Sequence, residues 1–136
     1  MTLSHLIRIN LIVTALVMIG FGVWALVDPH QLATSQDLNF TSLNGRLAVQ
    51  TIFGGNLIGV GVLFGICGLR EGYHRFGLLA ILAIISPILI TRGLAMIFGG
   101  EYSDQHMMKL LMELASVGVT TVLYFVGAKT YSQLSQ

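Results

Sequence analysis

The sequence predicts an all-α membrane protein, a four-transmembrane-helix up-down bundle, and two observations carry that prediction. The first is composition: 54% of the 136 residues are hydrophobic and only 10% are charged, against about 25% charged residues in an average soluble domain. Mean hydropathy is accordingly high, at +0.81. Because so little polar surface could cover a globule in water, part of the solvent must be lipid.

The second observation is a set of four long, mainly apolar stretches. Each is long enough for a helix to cross a hydrocarbon core about 30 Å thick at about 1.5 Å per residue. No period-two alternation suggests a barrel, and short connections imply antiparallel neighbours. We therefore predict a single integral membrane domain over residues 1–136, with helices at about 7–27, 47–69, 76–98 and 107–128.

The first stretch has an alternative interpretation as a cleaved signal peptide. Its apolar core of about 19 residues is longer than the usual core of about 7–15, and no small-x-small site precedes Asp28-Pro29. We therefore favour a retained helix. The connection that follows is predicted to begin with a short surface helix near 29–35, because Asp28 suits an N-cap and Pro29 suits the first helical position.

The other connections also carry end signals. Thr41 or Ser42 is expected to cap the second span, and Ser103 or Asp104 the fourth. Gly72 indicates a tight turn over residues 70–75, and Gly99-Gly100 is expected to close the third span.

Pro87 is predicted to kink the third span, because proline removes one backbone hydrogen bond from the middle of the helix. Ser86 or Thr91 could supply a hydrogen bond to the exposed carbonyls.

Lysine and arginine in the short connections predict the orientation. Four of these residues lie on the side of the two termini and two on the opposite side, which predicts a multi-pass protein of the cell inner (cytoplasmic) membrane with both termini cytoplasmic. The first group is Arg8, Arg70, Arg75 and Lys129, and the second is Arg46 and Lys109.

The second span is rich in glycine, with small-xxx-small pairs at Gly55 and Gly59 and at Gly61 and Gly65. Such pairs let two helix backbones approach closely. They favour packing of this helix at the centre of the bundle. A homo-oligomer interface, or an interface with a partner in a larger membrane complex, is the alternative.

Two charged residues fall at matching depths in the last two spans. Arg92 precedes Gly99 by seven residues, about 10 Å along the helix, and Glu113 follows Gln105 by eight residues, about 12 Å along the next one. A charge at membrane depth costs at least about 2.5–3.5 kcal/mol unless it is paired. We therefore predict a buried ion pair between Arg92 and Glu113.

Three further polar residues of the second span complete a candidate ligand pocket. Arg46 begins that span on the outer side, Gln50 follows one turn deeper on the same face, and Asn56 falls near the midplane. Together with Arg92 and Glu113 they would form a polar pocket open to the outer face, with a positive surplus that suits a membrane lipid or a small anionic molecule. The alternative is an ion pair that only fixes helix packing.

Several function classes have little support. A net charge of +1 without clustered lysine and arginine argues against nucleic acid. The four histidines lack metal-ligand spacing and Cys67 is the only cysteine, so we expect no metal and no cofactor. The sequence contains no apparent Ser-His-Asp or Cys-His arrangement that would indicate a membrane enzyme, so we assign no catalytic residue.

Four runs of the sequence can be compared with known families: WALVDPH, LNGRLAVQTIFGGNLIGVGVLF, TRGLAMIF and MELASVGVTTVLY. Together they resemble the bacterial four-helix membrane family catalogued as domain of unknown function 4345. The resemblance covers nearly the whole chain. Its most specific part is the run from Asn44-x-Arg46 to Gly54-Gly55. The chain departs from the family pattern at 50–53, where a tyrosine is common. The resemblance implies the four-helix fold and carries no activity.

Overall fold

The computed structural model describes residues 2–36, 38, 42–99 and 104–133. Of these, 94% are helical and none lies in a strand. Four helices are long and apolar enough to cross a membrane, which confirms the predicted all-α membrane class. These spans cover Leu3–Val27, Leu43–Leu69, Glu71–Gly99 and His106–Gly127.

The helices follow one another with short connections. In chain order they are α1 (Leu3–Val27), α2 (Pro29–Thr34), α3 (Leu43–Val49), a π-helical segment (Gln50–Gly55), α4 (Asn56–Leu69), a 3₁₀ turn (Glu71–Tyr73), α5 (His74–Gly99) and α6 (Asp104–Gln133). Each spanning helix begins earlier than its apolar stretch, because a helix continues into the headgroup layer, where polar residues are tolerated.

The connections settle most of the predicted helix ends. Asp28 Oδ1 accepts a hydrogen bond from the Gln31 amide at 2.9 Å, so the predicted short helix and its cap are confirmed. Ser42 Oγ accepts from the Gly45 amide at 3.1 Å and caps α3. The predictions at Thr41, Gly100 and Ser103 lie outside the described residues.

The antiparallel order gives the bundle two ends. The near end holds the start of α1, the turn at 71–73 and the last turns of α6. The far end holds the end of α1, α2 and the starts of α3 and α6. Ser4 Oγ donates to Glu71 Oε1 at 3.1 Å at the near end, and Gln50 Nε2 donates to the Leu26 carbonyl at 3.1 Å at the far end.

The closest packing joins α1 to the second span through glycines. A Cβ atom added at Gly22 would lie 2.9 Å from the Gly54 carbonyl oxygen, and one added at Gly61 would lie 2.9 Å from that of Ala15. The helices therefore approach backbone to backbone, as small-residue interfaces allow. The predicted packing role of Gly61 is thus seen against α1, with Gly65 beside Ala15 at 3.9 Å.

The apolar core fills the space between this pair and the last two helices. Its fully buried side chains include Leu11, Phe64, Leu78 and Ile81, each at most 1% exposed. A polar bond joins α1 to α6 across the core, from Asn10 Nδ2 to Thr120 Oγ1 at 3.2 Å. Thr120 is completely buried, and neither lipid nor the apolar core offers its hydroxyl a hydrogen-bond partner. The bond from Asn10 supplies one.

Two local features bear on backbone hydrogen bonding. The segment Gln50–Gly55 is π-helical, and π-helical segments within α-helices occur frequently at functional sites. Pro87 lies inside α5, which continues through it as one helix, so the bend at Pro87 stays a prediction. Thr91 Oγ1 donates to the carbonyls of Pro87 and Ile88, at 2.8 and 3.0 Å.

Candidate functional site

The candidate site centres on a two-point contact between α5 and α6. Arg92 Nη2 lies 2.9 Å from Glu113 Oε1, and Arg92 Nε donates to both carboxylate oxygens at 3.0 and 3.1 Å. Charge-assisted pairs of this bidentate kind are stronger and more directional than neutral hydrogen bonds. The two side chains are 21% and 19% exposed, so the pair is half-buried at the edge of the bundle.

The antiparallel course of α5 and α6 brings the two charges to one level. Arg92 lies seven residues before the end of α5 and Glu113 nine residues after the start of α6, about 10 and 13 Å along their axes. At 26 residues α5 is about 39 Å long, close to the full bilayer thickness of about 40–45 Å. The pair therefore lies near the boundary of the hydrocarbon core on the far side.

Lys109 adds a third charge that the sequence analysis had not placed in the site. It lies one turn before Glu113 on the same face of α6, since residues four apart in a helix are neighbours. Its Nζ donates to the Ser35 carbonyl and to Gln36 Oε1, both at 2.9 Å, at the end of α2. The i, i+4 spacing of Lys109 and Glu113 was the available signal.

The remaining predicted pocket residues have other surroundings. Arg46 is exposed on α3, and its side chain makes no hydrogen bond or ion pair within the described part of the chain. Gln50 is half-buried and bonds the Leu26 carbonyl of α1. Asn56 is exposed at the first turn of α4. The structure thus brings together Arg92 and Glu113, and it ties Gln50 to α1.

Two of the predicted interface glycines are uncovered. A Cβ atom at Gly55 or at Gly59 would meet nothing within 4 Å, and Asn56 lies between them in sequence on the exposed side of the helix. Gly61 and Gly65 face α1 instead. The second span therefore has one face covered within the chain and a separate small-residue face open to its surroundings.

Within the described residues, no group of three or more histidine, cysteine, aspartate or glutamate side chains is arranged to hold a metal ion. Cys67 is buried in the core beside Leu11 and Phe64. The charged side chains that the structure brings together at the far end are Arg92, Glu113 and Lys109.

Comparison with known protein families identifies a matching family model. The family model described as "Domain of unknown function (DUF4345)" matches residues 6–124, from early α1 into α6. No curated protein and no solved structure matches the chain. The matched range contains the second and third spans, most of the first and fourth, and both members of the ion pair.

Proposed function

The chain belongs to the DUF4345 family, and from that premise we propose that it is an integral membrane protein that binds a membrane lipid or a small anionic molecule at the Arg92–Glu113 pair. The observation that carries the proposal is that Glu113 uses only some of the N–H donors of the Arg92 guanidinium. Of its five N–H donors, Glu113 takes one at Nε and one at Nη2. The other three have no acceptor within the described part of the chain.

The position of the pair fits an anionic group of a lipid. At the boundary of the hydrocarbon core, Arg92 is within reach of the phosphate and ester oxygens of lipids in that leaflet. Guanidinium donors suit such oxygens, which accept several hydrogen bonds at once. Lys109 lies one turn before Glu113 on the same face of α6, so a second cation is close to the pair.

The cellular side of this site follows from the charges at the two ends. Arg8, Arg70 and Arg75 are exposed at the near end. By the positive-inside rule we infer that the near end is cytoplasmic and that the binding site faces outward from the cell inner membrane. A reporter active only in the cytoplasm, fused after Gln136, checks this orientation.

Native mass spectrometry of the protein released from membranes in gentle detergent tests the binding proposal. The wild-type chain is expected to retain a bound lipid or small anion. The double variant R92L/E113L is expected to lose it while staying folded, since it removes both charges together and leaves no unpaired partner.

Arg46→Ala is the matched control, because it removes a far-end arginine that makes no contact with the pair. It is expected to leave the bound species unchanged. Equal retention by R92L/E113L and the wild type would refute the proposal, and loss in R46A alone would move the site to α3.

A second candidate function is an accessory or structural role, through association with another copy or with a larger membrane complex. The observation that favours it is Asn56, which lies midway along the continuous helix Leu43–Leu69, about 20 Å from either end. Its side chain is exposed there without a hydrogen-bond partner among the described residues. Asparagine in apolar surroundings bonds across helix interfaces, and Gly55 and Gly59 would allow close approach.

Energy transfer between labelled copies in liposomes tests this second role. Asn56→Leu is expected to weaken self-association about fivefold, the effect of losing one interhelical hydrogen bond of about 1 kcal/mol. Asn44→Leu, at the exposed start of α3, is the control and is expected to change nothing. A wild-type chain that stays monomeric and captures no partner from native membranes would rule out this role.

A further inference from the structure

His74 has an unpaired ring nitrogen although it is almost fully buried. It is the first residue of α5, 1% exposed, and its Nε2 lies 3.3 Å from the Gly68 carbonyl oxygen. A carbonyl oxygen only accepts, so Nε2 carries the hydrogen and the neutral ring leaves Nδ1 as an acceptor. Nδ1 is buried and has no donor among the described residues. Buried acceptors in this state are rare and require a partner.

His74 lines a cleft at the near end that can supply one. The cleft lies between α1, α5 and α6 and is open to the outside. Its walls are mainly apolar. Besides His74 and Gly127 the lining residues are Ile7, Arg75, Leu78, Leu123 and Tyr124.

The rim of the cleft is cationic and aromatic. The Arg75 guanidinium lies over the Tyr124 ring, 5.5 Å from its centroid, and is held there by a cation–π contact. Arg8 and Arg70 are also exposed at this end, whereas the nearby carboxylate of Glu71 accepts a bond from Ser4. Because α4 ends and α5 begins here, the rim lies at headgroup level, where such a cluster attracts anionic lipids.

We propose that this cleft is a second binding site, for the headgroup of a phospholipid that carries both a phosphate and a free hydroxyl. The phosphate oxygens bind Arg75, the headgroup hydroxyl reaches His74 Nδ1 through a water molecule in the cleft, and the acyl chains leave along the apolar wall. A zwitterionic lipid is expected to bind Arg75 more weakly. A headgroup without a hydroxyl cannot make the contact with His74. The site lies at the opposite end from Arg92 and stands independently of the function proposed there.

The test is a comparison of short-chain lipids by native mass spectrometry of the detergent-solubilised protein. The wild type is expected to bind dioctanoyl phosphatidylglycerol about fivefold more tightly than phosphatidylethanol, which is equally anionic but has no headgroup hydroxyl. Phosphatidylcholine, which has neither a net negative charge nor a headgroup hydroxyl, is expected to bind about fivefold more weakly than phosphatidylethanol, for loss of one surface cation's attraction.

Variants assign each contact. Arg75→Gln is expected to abolish the preference for anionic lipids, whereas Arg70→Gln, an exposed arginine outside the cleft, keeps it. His74→Leu is expected to abolish the preference for the hydroxyl. His74→Gln retains it, because its amide nitrogen can donate to the Gly68 carbonyl while its oxygen still accepts.

Three outcomes would overturn the proposal. Equal binding of phosphatidylglycerol and phosphatidylethanol would show that the headgroup hydroxyl contributes nothing to binding at His74. Equal lipid preferences in wild type and R75Q would remove the phosphate contact. Binding of soluble glycerol 3-phosphate as tightly as the lipid would make the ligand a free phosphate ester instead of a lipid.

Discussion

Replacing Glu113 with alanine is expected to lower the free energy of unfolding in a bilayer by about 3 kcal/mol. The substitution leaves the Arg92 guanidinium at membrane depth without its carboxylate, and removing one partner of a buried pair costs about 3–5 kcal/mol. The pair is about one-fifth exposed, so partial hydration keeps the expected loss at the lower end of that range. Steric trapping in lipid bicelles measures this change directly.

A double-mutant cycle separates pairing from each residue's own effect. Arg92→Leu combined with Glu113→Leu is expected to recover most of the lost stability, because two apolar side chains of similar volume leave no unpaired charge. The charge swap R92E/E113R is expected to recover part of it. Arg8→Ala is the control, since Arg8 is exposed at the near end and makes no ion pair among the described residues. A coupling energy below about 0.5 kcal/mol would show that the two charges act independently.

The four spans could be predicted because lipid imposes a rule on every residue of a helix that crosses it. A long apolar stretch has few alternatives to a spanning helix, since its backbone groups must bond within the segment. Capping chemistry is similarly local, which is why Asp28 and Ser42 were predictable from a few neighbouring letters. The π-helical segment Gln50–Gly55 was not predicted, because a π turn depends on packing across the bundle and has no side-chain signature.

The candidate site was predictable only where depth alone decided the contact. Arg92 and Glu113 lie on consecutive antiparallel helices, so equal distances from one connection place them side by side. The contact of Gln50 could not be predicted, because it depends on which helix lies beside this residue, and hydropathy does not indicate that. It lies beside the end of α1, where the last carbonyls of a helix have no intrahelical donor, and it bonds that of Leu26.

The unpaired nitrogen of His74 was beyond prediction for a similar reason. The sequence indicates a histidine at a turn between two spans, a position where water normally satisfies both ring nitrogens. Burial of the ring follows from the way α1 and α6 close over the start of α5, leaving Nε2 on the Gly68 carbonyl and Nδ1 without a donor in the described part of the chain. Only the tertiary arrangement distinguishes this histidine from the other three.

The other large effect is expected at Gly22, where α1 meets the second span. Gly22→Ala is expected to reduce the free energy of unfolding by about 3 kcal/mol, the upper part of the range for overpacked interiors. The added Cβ would lie 2.7 Å from Ile58 Cγ1, 2.9 Å from the Gly54 carbonyl oxygen and 3.0 Å from the Ile58 amide nitrogen. Two of these three neighbours are backbone atoms, so rotation of a side chain does not relieve the clash and the helices must move apart.

Gly20→Ala provides a matched control on the same helix, two residues away. A Cβ atom there would meet nothing within 4 Å, so the only expected effect is the small gain of a helix that exchanges glycine for alanine, up to about 1 kcal/mol. Steric trapping of both variants compares them under one condition. Equal stabilities would mean that α1 and the second span do not approach at Gly22. A loss confined to G22A would show that the two backbones are in close contact at this glycine, where a larger residue forces them apart.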